Sequence, residues 1–140
     1  MSELPARAPA GDEERELLLW AIGCAHRLLP VFAAQRPGDT RLQRSLDTAL
    51  AYIRGDATQG ALRAATFECH SAARDAGGGA PTAAARACAH AVATALAPEH
   101  ASEISWYTVK ALPDAGVQHA ELTWQRASLP RHLRTLVYDD

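Results

Sequence analysis

Three histidines and one tyrosine are the side chains of this sequence that could carry chemistry. His70, His90 and His100 lie in alanine-rich stretches typical of helices, and Tyr107 follows seven residues after His100. Imidazole can serve as an acid, a base or a metal ligand near neutral pH, so each position has a functional interpretation. The competing interpretation is structural, because buried polar groups usually hydrogen-bond to a neighbouring helix.

Helical spacing groups polar side chains on three consecutive predicted helices. Residues three or four apart share one face of a helix. Antiparallel packing could bring these faces together as a pocket for a small ligand or a partner's side chain. The candidate polar pocket consists of His70, His90, Thr94, His100, Glu103, Tyr107 and Lys110.

The spacing favours neither a metal site nor a named catalytic residue. No HxxxH or CxxC pair occurs, whereas a structural zinc site normally has four ligands. Acid–base catalysis would need a base within hydrogen-bonding reach of a substrate, which spacing alone does not give. We therefore expect no metal and no cofactor, and the catalytic residues remain unassigned.

Two tryptophans and a glutamine are candidate interface anchors: Trp106, Trp124 and Gln125. Tryptophan is enriched among the residues that dominate binding energy at protein interfaces. The alternative is that each tryptophan simply closes the helical core. The remaining histidines have charged neighbours and are interpreted as surface residues: His26, His119 and His132.

The composition predicts an all-α fold. Apolar residues make up 48% of the 140 residues, alanine supplies much of that share, and no alternating run of β-branched residues occurs. We expect a compact antiparallel helical bundle or α-hairpin stack of about six helices. It would form a single domain over residues 12–140, preceded by a flexible tail over residues 1–11.

Prolines, glycines and capping residues delimit the predicted helices. Asp12 and Asp39 are expected to cap the first and second helices, and Pro30 must end or kink the first. Pro81 fits the first helical position of the fourth helix. The predicted helices cover residues 12–30, 40–53, 59–76, 81–97, 99–112 and 117–129, and a short closing segment follows Pro130.

Charge and cysteine content restrict the class of partner and the compartment. A net charge of −2 and a pI near 6.3 lack the basic bias of a nucleic-acid-binding protein. Cys24, Cys69 and Cys88 form an odd set without CxxC spacing, which favours reduced thiols in the cytoplasm. No run approaches the roughly 20 apolar residues of a membrane span, so no membrane partner is expected.

Four ordered motifs between residues 33 and 137 carry a family resemblance. They are "RPGDTRLQRSLDTALAY", "ALRAATFECHSAARDA", "AAARACAHAVATALAPEHASEISWYTVKAL" and "WQRASLPRHLRTLV". Their order and spacing resemble small bacterial immunity proteins of polymorphic-toxin systems, similar to the fifth immunity family. The resemblance implies an α-helical protein that binds and neutralises a toxin without catalysis.

The resemblance also implies which positions matter. The family pattern matches this chain at His70, His90, His100, Tyr107, Lys110, Trp124, Gln125, Leu129 and Pro130. Two positions depart from the pattern: Ala89 replaces a usual glycine, and Leu96 replaces a further histidine. The missing histidine disfavours a metal site and favours a structural or recognition role.

Three functional hypotheses follow. The first is a cytoplasmic immunity-type protein that binds a toxin or another protein partner. The second is a small helical enzyme or small-molecule binder, of the kind found in biosynthetic clusters, that uses the histidine and tyrosine pocket. It requires His70, His90 and His100 to lie within about 10 Å of one another, because a shared small ligand needs converging groups. The third is a homodimer formed through the apolar face of the first helix.

Overall fold

The computed structural model describes residues 11–138, and the regular elements in this range are all helices. The all-α prediction is therefore confirmed. The predicted tail, apart from Gly11, lies outside the described residues. The α-helices are α1 (Asp12–His26), α2 (Leu29–Gln35), α3 (Arg41–Ile53), α4 (Gln59–Ala76), α5 (Gly79–Ala93), α6 (Ile104–Ala111), α7 (Ala115–Ser128) and α8 (Arg134–Val137). Two 3-10 helices, Pro98–Glu103 and Arg131–Leu133, precede α6 and α8.

The observed helix starts agree with the predicted ones to within about two residues. Asp12 is the first residue of α1 rather than its cap, because Gly11 occupies that position. Thr40 is the N-cap of α3, yet the Asp39 carboxylate accepts the Arg41 N–H at 3.1 Å. Asp39, one residue before the N-cap, therefore accepts a hydrogen bond from a backbone N–H that has no partner within the helix.

Helix α5 lies at the centre of the molecule and packs against α1, α2, α3, α4 and α6. Most of its residues are alanines, and Ala84, Ala85 and Ala87 are fully buried. Alanine side chains let neighbouring helix backbones approach closely, so one helix can be surrounded on several sides. Gly77 and Gly78 join α4 to α5 as a hairpin, and both have positive φ angles.

Helix α7 lies at the periphery and is tied to α1 by specific contacts. The indole N–H of Trp20 donates to the backbone carbonyl of Gln125 at 2.7 Å. Arg27 forms a two-pronged ion pair with Glu121, and its guanidinium also lies 3.9 Å from the Trp124 ring centroid. These contacts compensate for the small apolar area that α7 buries, since Gln125 is its only fully enclosed residue.

In contrast to the expectation that no run approaches a membrane span, the first two helices form a stretch, Asp12–Gln35, that is long and apolar enough to cross a membrane by length and composition. Its most apolar window has a mean hydropathy of 1.6, and half of that window is buried within the molecule. Core helices of soluble proteins and N-terminal signal sequences share this composition.

The apolar face of α1 packs inside the chain, with Leu17, Leu18 and Ile22 buried. This burial corrects the expectation that the same face is available to a second copy.

The three cysteines are buried free thiols on α1, α4 and α5. Burial raises the pKa of the Cys69 thiol to about 11. It also raises the pKa values of Cys24 and Cys88, and by more. They behave as small apolar core residues, as the sequence predicted.

Candidate functional site

The three histidines and the tyrosine meet at one seam of the molecule. His70 comes from α4, His90 from α5, His100 from the 3-10 helix before α6, and Tyr107 from α6. The His90 ring centroid lies 6.0 Å from that of His70, 5.1 Å from that of His100 and 5.3 Å from that of Tyr107. We call these four residues the histidine cluster. His90 thus lies close enough to both other histidines to share a small ligand with either of them.

Arg86 fixes the protonation state of His70. Its guanidinium donates a hydrogen bond to Nδ1 of His70, and an arginine can only donate. His70 Nδ1 must therefore carry a lone pair, so the proton of the neutral ring sits on Nε2. Burial, followed by the positive charge of Arg86, lowers the pKa of His70 to about 4. His70 is thus a neutral hydrogen-bond donor at pH 7 and is poorly suited to act as a general base.

His90 and His100 hydrogen-bond to each other through their Nδ1 atoms, which lie 3.0 Å apart. One of the two nitrogens must donate and the other accept, so the contact requires at least one neutral ring. Burial lowers the pKa of His90, the neighbouring His100 lowers it further, and the Glu103 carboxylate opposes the shift. The Tyr107 ring stacks on His90 with an interplanar angle of 17°.

The remaining residues of the predicted pocket are not part of the histidine cluster. The Thr94 hydroxyl donates to the backbone carbonyl of His90 in its own helix at 2.8 Å. Glu103 and Lys110 are exposed. Within residues 11–138, no three His, Cys, Asp or Glu side chains are grouped so that they could hold a metal ion.

A surface cleft of about 430 Å³ opens beside the histidine cluster, between α5 and α6. It is lined by Gly79, Thr82, Ala83, Arg86, Tyr107 and Lys110. We call it the basic cleft, because it has two cationic side chains and no acidic one. Tyr107 belongs to the histidine cluster and Arg86 hydrogen-bonds to His70, so the cluster and the cleft form one continuous site.

Arg86, Thr82 and Gly79 were not predicted as site residues. Arginine on an alanine-rich helix is typical of a solvated face, which hides its role in the sequence. One signal was present: Arg86 lies four residues before His90 and so shares its helix face.

The structure separates the three candidate interface anchors. The Trp106 side chain is 59% exposed on α6, with the Lys110 ammonium 4.8 Å from its ring centroid. Trp124 is half-buried against α1 at Gly23. Gln125 is completely buried, and its amide donates to the Thr108 hydroxyl at 2.8 Å. Because its side chain does not reach the surface, the prediction of Gln125 as an anchor is wrong.

The chain matches a known protein family over most of its length. A family model described as "Imm-5 like putative immunity protein" matches residues 10–132. No curated protein and no solved structure is significantly similar to the chain. The family match covers every residue of the histidine cluster and of the basic cleft.

Proposed function

The chain belongs to the Imm-5-like family of immunity proteins, and we propose that it binds a protein toxin and neutralises it without catalysing a reaction. Protein inhibitors act through pre-shaped surfaces in which a few anchor residues carry most of the binding energy. In this proposal the chain acts in the cytoplasm, where free thiols stay reduced.

The observation that carries the proposal is the exposed surface of α6. Trp106 and Val109 lie one turn apart, and their side chains are 59% and 40% exposed. A tryptophan loses much of its apolar contact when it is left in water, so an exposed one is a strong candidate for an interface. The charged Lys110 beside it supplies the polar rim that surrounds such anchors.

Growth protection tests this proposal directly. The chain is co-expressed with toxin domains encoded near its own gene, and growth is followed after toxin induction. We expect one of them to arrest growth only when the chain is absent. We expect Trp106→Ala to weaken binding of that toxin by about thirtyfold, equivalent to about 2 kcal/mol, as for an interface hot spot.

Leu136→Ala is the matched control. Leu136 is 52% exposed on α8, so its truncation removes exposed apolar area without touching α6. It should leave protection unchanged. Equal loss in both variants, with circular dichroism showing a folded chain, would contradict the assignment of α6 as the binding surface. Failure to protect against every such toxin would contradict the proposed function.

A second candidate is a small-molecule binder or enzyme that uses the histidine cluster. Convergence of four polar rings favours it, because ligand sites gather a few polar groups at one place. Against it, His90 and His100 already bond to each other, and His70 is held neutral as a donor. Native mass spectrometry of the protein purified from its own host separates the candidates. A bound small molecule lost on His90→Phe substitution would favour this one, and a bound protein would favour the first.

A further inference from the structure

The basic cleft contains two cations that lack an acidic partner. The half-buried Arg86 guanidinium donates to the neutral His70 ring, and the Lys110 ammonium lies over the Trp106 ring. No carboxylate within residues 11–138 forms an ion pair with either side chain. Both positive charges therefore face one cleft without a carboxylate partner, Arg86 from α5 and Lys110 from α6.

An uncompensated charge in a half-buried site raises the free energy of the folded chain. Removing a guanidinium from water is costly unless an opposite charge replaces the lost hydration. Two like charges at one cleft also repel each other. A bound carboxylate would relieve both costs and would accept two parallel hydrogen bonds from an arginine.

A second cavity provides a comparison, because it contains an arginine with carboxylate partners inside the chain. It measures about 680 Å³ and lies at the turn between α2 and α3. There, Arg41 bonds to Asp39 at 2.6 Å and to Asp75 at 2.9 Å. Arg41 is neutralised within the chain, whereas Arg86 and Lys110 in the basic cleft are not.

The other lining groups suit an acidic ligand of side-chain size. The Tyr107 hydroxyl makes no hydrogen bond to another part of the described chain, so it is free to donate. Gly79 and Ala83 contribute almost no side-chain volume and leave the cavity open. The Thr82 hydroxyl is already used, since it donates to the Ala73 carbonyl and accepts the Gly78 N–H.

We propose that the basic cleft binds carboxylate side chains of an acidic segment in the protein partner, with Arg86, Lys110 and Tyr107 as the donors. The inference rests on the proposed toxin-binding function and names the chemistry that the partner must present. A protein segment fits better than a nucleic acid. The exposed Trp106 and Val109 border the site, and a net charge of −2 gives no general attraction for a phosphate backbone.

Lys110 provides a selective probe, because it is the only lysine in the sequence. Reductive methylation with carbon-13 formaldehyde labels this amine and the chain's N-terminus, and it retains the positive charge. A capped hexaglutamate peptide is then titrated at low ionic strength. We expect a saturable shift of the Lys110 methyl resonance, with affinity about tenfold lower or more in Arg86→Gln.

The controls decide whether the effect is specific. Arg44→Gln removes one exposed positive charge outside the cleft and should retain the affinity of the natural chain. Lys110→Gln should not affect folding, because Lys110 is exposed. This variant lacks the labelled amine, so Trp106 fluorescence is used to measure the expected loss of peptide binding. Equal affinity in Arg86→Gln and Arg44→Gln overturns the proposal. So does an equal response to capped hexaglutamine, to inorganic phosphate or to a short single-stranded oligonucleotide.

The titration needs no toxin, so its failure is distinct from failure of the proposed function. If protection depends on Trp106 but the peptide gives no response, only the proposal that the basic cleft binds carboxylates is overturned. A specific peptide response without protection against any toxin overturns the toxin-binding proposal alone.

Discussion

At the scale of single residues, charge states hold the candidate site in its observed arrangement. Three imidazoles and a guanidinium lie within contact distance along one seam, which is possible only when most of the rings are neutral. Arg86 enforces this at His70, and the Nδ1–Nδ1 contact enforces it between His90 and His100. Because burial lowers the pKa values of His70 and His90, protonation of either ring should oppose folding.

Acidification should destabilise the protein through His70. Its pKa is about 4 in the folded chain and near 6.5 when unperturbed, so the unfolded chain binds more protons between these values. The free energy of unfolding should fall by about 1–2 kcal/mol as pH drops from 6.5 to 4, after allowing for screening of the partly exposed ring. Urea denaturation of the natural chain and of His70→Gln measures this contribution as the difference in pH slope. A His70 pKa at or above 6.5 by NMR titration would contradict it.

Gln125 should matter for stability rather than for binding. Gln125→Ala leaves the Thr108 hydroxyl without its buried donor and creates a cavity between α6 and α7. We expect the free energy of unfolding to drop by about 2–4 kcal/mol. Gln43→Ala is the control, because Gln43 is exposed on α3 and should change stability by about 0.5 kcal/mol or less. Similar losses in the two variants would show that the buried contact contributes little.

At the scale of elements, α5 determines where the site can form. It presents His90 and Arg86 on its one accessible strip, and it buries alanines against the other helices. The hairpin with α4 brings His70 to this strip, and α6 brings Tyr107. The site therefore depends on close packing around α5.

Enlarging an alanine of α5 should be far more damaging than enlarging one elsewhere. Ala84→Leu places three extra carbon atoms in a fully buried position, and we expect a loss of about 1–3 kcal/mol or more. Ala64→Leu on the exposed side of α4 should lie within about 0.5 kcal/mol of the natural chain. Chemical denaturation compares the two. A stable Ala84→Leu variant would mean that α5 has room that the structure does not show.

The sequence predicted an element accurately where residues that begin or end a helix mark its bounds clearly. α4 was predicted at its observed bounds, because Thr58 accepts the Ala61 N–H as a cap and Gly77 ends the helix with a φ of 78°. Residues 99–103 were predicted as part of an α-helix but lie in a 3-10 helix, Pro98–Glu103, where the His100 N–H donates to the Ala97 carbonyl. The sequence patterns indicated that the histidines could converge. They did not predict that Arg86 contacts them, because only tertiary packing turns that side chain away from solvent.

At the scale of the whole molecule, the helices are linked across long sequence distances. Trp20 on α1 bonds to the Gln125 carbonyl on α7, and its ring meets that of Tyr138 at a centroid distance of 6.5 Å. The start and the end of the described chain thus share one packed region. This arrangement favours a single cooperative unit.

Unfolding should therefore be a single transition. Trp106→Phe removes the exposed indole, so the remaining fluorescence reports Trp20 and Trp124 where α1 meets α7. We expect urea curves followed by this fluorescence and by far-ultraviolet circular dichroism to coincide. An earlier fluorescence transition would show that α7 detaches before the remaining helices unfold.

The buried cysteines also make the molecule a natural reporter of its own motions. Cys24, Cys69 and Cys88 lie on three different helices, and each is enclosed in the core. A maleimide can react with one of them only while the surrounding packing is transiently open, since the reactive thiolate is both hidden and rare. Mass spectrometry of the alkylated peptides would then give a separate opening rate for α1, α4 and α5. Comparing those rates with and without a bound partner would show around which helix the partner suppresses local opening.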